Sequence, residues 1–144
     1  MDGVVDIYMP DLKLAGSEHT RRYLGKREYF EVASHNVLEM QRQVGDLALD
    51  ERGLARRGLI VRHLVMPGLL DETEAVLRFV AEELGPGTYV NLMGQYYPAG
   101  KTERYAEIHR RPHARELVRA YEIADELGLR RLDRRSRRQT VGIA

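Results

Sequence analysis

Leu59-Ile60-Val61-Arg62-His63-Leu64-Val65, closed by Met66-Pro67-Gly68, decides the fold of this chain. The run is apolar on both parities, which predicts a parallel strand buried on both faces. Arg62 and His63 interrupt it. A parallel strand needs a crossover on each side, usually a helix. Both flanks supply one. Upstream, Phe30, Ala33, Val37, Met40 and Val44 recur at spacings of three and four, and Gly45 ends the helix. Downstream, Asp71-Glu72-Thr73-Glu74 resembles a capping-box start, and Val76, Phe79, Val80 and Leu84 form the apolar stripe.

Further out, the alternation continues. Val4, Val5 and Ile7 predict a short buried strand that Pro10 ends. Ser17 to Leu24 predicts a short helix. Leu47-Ala48-Leu49 and Leu54-Ala55-Arg56 around Asp50-Glu51-Arg52-Gly53 predict a small β-hairpin insertion. Thr88–Met93 predicts a third strand, Ala99–Arg111 an irregular stretch, Pro112 the start of a last helix, and Leu129–Leu132 a short fourth strand. The expected fold class is α/β, with right-handed crossovers and a parallel sheet. At 144 residues there is room for about half of a (β/α) barrel of ~250 residues, or for a small open sheet.

Composition narrows the function classes. The net charge of +1 gives no global field toward nucleic acid or anionic lipid. The arginines between Arg130 and Arg138 have no interleaved aromatics, so no nucleic-acid partner is expected. No apolar run reaches the ~18 residues of a membrane span. The acidic N-terminus leads straight into a strand, and a cytoplasmic protein is expected. There is no cysteine, hence no thiolate ligand for zinc or an iron–sulfur cluster. The His109/His113 pair straddles Pro112 and lacks a third ligand.

Polar residues at strand exits are the candidate site. Asp11 and Lys13 follow the first strand, Arg62 and His63 sit in the second, and Asn91, Gln95 and Tyr96 follow or end the third. Asp11 and Lys13 form either half of a site or a surface loop ion pair. A guanidinium cannot deprotonate, so Arg62 suits either a bound carboxylate or phosphate, or an internal pair with Asp11 or Asp6. His63 is expected to be a satisfied core histidine.

Asp6-Ile7-Tyr8-Met9-Pro10-Asp11-Leu12-Lys13, Met40–Asp46, Arg57–Pro67 and Tyr89–Tyr96, in that order, resemble the C-terminal half of radical S-adenosylmethionine proteins. The closest likeness is to those related to pyruvate formate-lyase activating enzyme. The resemblance covers roughly residues 3–135, with 136–144 as a tail. It implies a partial (β/α) barrel, a [4Fe-4S] cluster and S-adenosylmethionine, whose reductive cleavage yields a 5′-deoxyadenosyl radical. It also implies a protein substrate, a backbone glycine of a glycyl-radical-type partner. By resemblance, Asp11, Lys13 and Arg62 bind S-adenosylmethionine. The Met9 carbonyl and Asp11 hold a monovalent cation, and Gln95 and Tyr96 lie on the substrate side.

The cluster's cysteine motif and the Gly-Gly-Glu segment are absent. The expectation is therefore a fragment or truncated product, inactive alone, whose partner is the missing N-terminal half. The alternative is a catalytically inactive remnant serving as a protein-binding or assembly module. An uncovered half-barrel also predicts self-association.

Overall fold

The computed structural model describes residues 2–133 and residue 135. The expected 136–144 tail lies outside the described residues. The strands are β1 (Ile7–Tyr8), β2 (Ala48–Leu49), β3 (Ala55–Leu64), β4 (Tyr89–Met93) and β5 (Arg131–Leu132). The helices are α1 (Ser17–His19, continued by a π-helical turn through Leu24), α2 (Tyr29–Val44), α3 (Leu70–Phe79, continued by a π-helical turn through Leu84) and α4 (Ala114–Glu126). Two 3₁₀ turns, Gly100–Arg104 and Ala106–Ile108, occupy the stretch expected to be irregular. No described helix is long and apolar enough to cross a membrane.

The sheet order is β1-β3-β4-β5, every pair parallel, with β2 antiparallel to β3. The parallel strands thus follow one another in sequence order, without the reversal that marks a doubly wound sheet. The α/β class and the parallel sheet agree with the sequence.

Burial on both faces of the central strand does not. Leu59, Val61, His63 and Val65 are buried, whereas Ile60, Arg62 and Leu64 are only half-buried. In β4, Val90 and Leu92 are buried, and Tyr89 and Asn91 are half-buried. Strand side chains alternate faces. One face therefore lies under the helices, where Val37, Val44, Val76, Leu77, Leu117 and Tyr121 join Leu59, Val61, Val90 and Leu92 in one core. Among the described residues the other, uncovered face carries no such layer, and is packed only at Leu64, against Leu14, Leu69, Tyr96 and Ile108.

Two further expectations change. Val4 is 78% exposed, so the first strand is shorter than its apolar residues suggested. Nor does Pro10 end the pairing. It has no N–H to donate, but its carbonyl accepts from Arg62, and the Leu12 N–H donates back to the Arg62 carbonyl. The ladder skips one bond and resumes at the Asp11–Arg62 bridge. The hairpin is no separate insertion either, because its second arm is the start of β3.

Gly58 sits where β1 pairs with β3 and the chain entering β2 crosses closely. Its φ is +121°, and a Cβ there would lie 2.4 Å from the Asp46 carbonyl oxygen. Both strain and overlap oppose any side chain. Gly58→Ala is expected to lower unfolding free energy by about 2–4 kcal/mol in urea titration, with the m-value unchanged.

Candidate functional site at the strand exits

The β1–β3–β4 register brings polar groups to one level of the uncovered face. Asp11 stands opposite Arg62, and Arg62 opposite Asn91. Arg62 Nε donates to Asp11 Oδ1 at 2.6 Å, and both side chains are a little over one-third exposed. The carboxylate beside it raises the guanidinium pKa further. Of the two uses of Arg62 left open by the sequence, the pair with Asp11 is formed. Asn91 Oδ1 is buried and has no hydrogen-bond partner among the described residues, an exception to the rule for buried polar atoms. A groove of about 390 Å³ runs over this face, lined by Met9, Ile60, Arg62, Tyr89, Asn91 and the hairpin. Arg131 lies 5.6 Å above the Tyr89 ring.

The loop leaving β1 is fixed from beneath. Leu12 and Leu14 are buried. Tyr29 at the start of α2 accepts from the Lys13 N–H and donates to the Asp11 carbonyl. His63 is 2% exposed. Its Nδ1 lies 2.7 Å from the Leu12 carbonyl and must donate, so Nε2, 2.9 Å from the Thr73 hydroxyl, accepts. Burial pushes its pKa down and keeps the ring neutral. His63 is the satisfied core histidine the sequence led us to expect.

Glu72, read from the sequence only as part of a helix start, is buried. One carboxylate oxygen accepts from the Ala15 and Gly16 amides at 2.6 and 2.7 Å, and the other meets His19 Nδ1. Burial raises its pKa, but the amides and His19 outweigh that and leave it lowered. Gly16 leaves room for this carboxylate, because a Cβ would fall 2.3 Å from Glu72 Oε1 and force the side chain to shift. Glu116 in α4 repeats the device. It accepts from the Gly68 amide after β3, from the His113 amide and from both Arg110 guanidinium nitrogens. Each glutamate is the third residue of its helix and grips a preceding strand's exit loop. The sequence signal is a Glu at the third helical position with a basic residue upstream.

His19, Asp71 and Glu72 offer ligand atoms within 4.8 Å of one another. Glu72 is already committed to two amides, and the positive end of α3 opposes a cation. We therefore read this group as a loop anchor.

The remaining candidates are dispersed. Lys13 is exposed. Met9 is 57% exposed on the uncovered face. Gln95 is exposed, and its Nε2 lies 3.6 Å from Met93 Sδ. Tyr96 is buried with Leu14, Leu69 and Ile108, and its hydroxyl donates to the Ile108 carbonyl. It packs the interior, and burial raises its pKa.

No family model matches this chain, and no solved structure matches it. It is 35% identical over 130 residues, 90% of its length, to the uncharacterized protein MJ0674 of Methanocaldococcus jannaschii. The chain spans about a third (34%) of that protein's length.

The Arg110 guanidinium, with the Gly68 and His113 amides, holds the Glu116 carboxyl down to about 2 against the opposing effect of burial. The folded pKa is below the ordinary 4.5. The stabilisation is therefore complete above about 4.5 and lost as pH falls toward 2. Glu116→Gln is expected to destabilise the protein at neutral pH and to flatten its acid limb between those values, as measured by urea midpoints across pH.

Proposed function

We propose that this chain forms the C-terminal part of a radical S-adenosylmethionine barrel, related to glycyl-radical activating enzymes, and contributes residues to the S-adenosylmethionine site. The observation that carries this reading is the Asp11–Arg62 pair on the uncovered sheet face, level with Asn91 Oδ1, which has no partner among the described residues. Sequence-ordered parallel strands with helices on one face support the half-barrel. So does a relative with about twice as much further chain.

The residues fit the amino-acid end of S-adenosylmethionine. Arg62 suits its carboxylate, while Asp11 and Asn91 Oδ1 suit its ammonium group. The Asp11 carboxylate and the Met9 carbonyl are the candidates for a monovalent cation, and Lys13 for a further polar contact. Gln95, exposed after β4, is the remaining substrate-side candidate. With no cysteine, this chain has no thiolates for a [4Fe-4S] cluster. Those ligands belong to other polypeptide, with which the chain works in the cytoplasm on a protein substrate. When bound beside such a cluster, S-adenosylmethionine supplies a carbon-centred radical that abstracts hydrogen.

A second function, a non-catalytic assembly module, draws support from the exposed apolar side chains of Met9, Leu49 and Leu54 around the same groove.

Calorimetric titration with S-adenosylmethionine separates the two. Saturable heat is expected, weakened at least tenfold by Asp11→Ala and by Arg62→Ala. Absent heat, or heat indifferent to both variants, refutes the cofactor site and leaves the assembly module.

A further inference from the structure

We propose that residues 17–24, α1 and its π-helical turn, form a lid over the exit end of β3, latched at its tip by Glu107. The inference stands apart from the proposed cofactor site. Leu64 follows Arg62 by two positions and shares its face of the sheet. It packs with Leu14, Leu69, Tyr96 and Ile108, and Tyr23 of the lid and Tyr105 of the loop after β4 pack against that cluster. The lid holds itself together. Its backbone bonds close locally: the Thr20 amide donates to Gly16, Gly25 to Arg21 and Lys26 to Thr20. The hydroxyl of buried Thr20 lies 3.0 and 3.3 Å from the Ser17 and Arg27 carbonyls. Lifting the lid as one piece therefore keeps its buried hydroxyl bonded.

Two sets of hydrogen bonds tie the lid to the rest of the described chain. At its root, Glu72 accepts from the Ala15 and Gly16 amides and meets His19. At its tip, Tyr23 donates to Glu107 at 2.7 Å, Arg22 pairs with Glu107 at 2.5 Å, and Tyr105 donates to the Arg22 carbonyl at 2.9 Å. The Arg22 guanidinium also lies over the edge-to-face rings of Tyr23 and Tyr105. The two ends differ in strength. Glu72 is buried, whereas Glu107 is exposed and its ion pair is screened by solvent. Packing at the tip is loose, with cavities of about 490 and 220 Å³ bordered by Tyr105. Solvent-exposed bonds and sparse packing mark a segment that opens below the free energy of global unfolding. The tip therefore releases first, and the lid swings about its Glu72 root. Opening bares the cluster around Leu64 and lengthens the groove over the uncovered face at its exit end.

Hydrogen exchange of the full chain, read by mass spectrometry at neutral pH without S-adenosylmethionine, tests this. The amides of residues 20–26 are expected to exchange faster than those of α2 and β3, through local opening. Glu107→Ala is expected to speed their exchange about three- to tenfold, with α2 and β3 unchanged. Tyr105→Phe, which removes one bond and keeps the ring, should give a smaller rise in the same segment. Arg22→Glu should act as Glu107→Ala does, and adding Glu107→Arg to it should recover part of the lost protection. Glu18→Gln should change nothing, because Glu18 pairs with Arg21 inside the lid. Thermal melts confirm that each variant is folded. A lid that exchanges only at the rate of global unfolding overturns the proposal. So does exchange indifferent to Glu107→Ala and Tyr105→Phe, or a rise that spreads equally through α2 and β3.

Discussion

Backbone amides at the strand exits must find acceptors, and two buried carboxylates provide them. Glu72 holds Ala15 and Gly16, and Glu116 holds Gly68. Each such bond to a charged acceptor contributes about 1.5–3 kcal/mol. Each carboxylate stays charged against its burial through these amides together with His19 or Arg110, and each sits where the helix dipole favours an anion. The site depends on this arrangement. Asp11 reaches Arg62 because the loop behind it is pinned by Glu72, by Tyr29 and by the His63 bond to Leu12.

The β3 register then sets the chemistry. Parallel pairing on both sides of one strand places Asp11, Arg62 and Asn91 in a row across three strands. Their residue numbers are far apart, and only the sheet makes them neighbours. The same alternation hides His63 beneath the helices one residue later. Arg62 and His63, adjacent in the chain, thus have opposite surroundings: one meets solvent and pairs with Asp11, the other ties β1 to α3.

Much of the fold was legible in the sequence. The apolar stripe from Phe30 to Val44, the Gly45 stop and the run from Leu59 to Val65 all fall where local periodicity put them. Some features lay beyond it. An apolar strand does not reveal whether one or both of its faces are covered, because Ile60 and Leu64 look the same either way. Pro10 signals a lost donor, but only the partner strand shows that pairing resumes two residues later. Tyr96 sits at a strand exit in sequence, yet it turns inward because Leu14 and Ile108 complete a small apolar cluster around it. Glu72 and Glu116 were hidden because exposed and buried glutamates look identical in sequence. The Asp11–Arg62 ion pair was one of the readings the sequence left open, because mixed charge at a strand exit is chemically conspicuous.

The neutral imidazole of His63 has a consequence for how the molecule opens. Its two nitrogens bridge the β1 exit to α3, with the ring sealed from water. Separating those elements exposes an imidazole that immediately regains an ordinary proton affinity. Mild acid therefore favours the opened form, in which the imidazole takes up a proton that the closed form excludes.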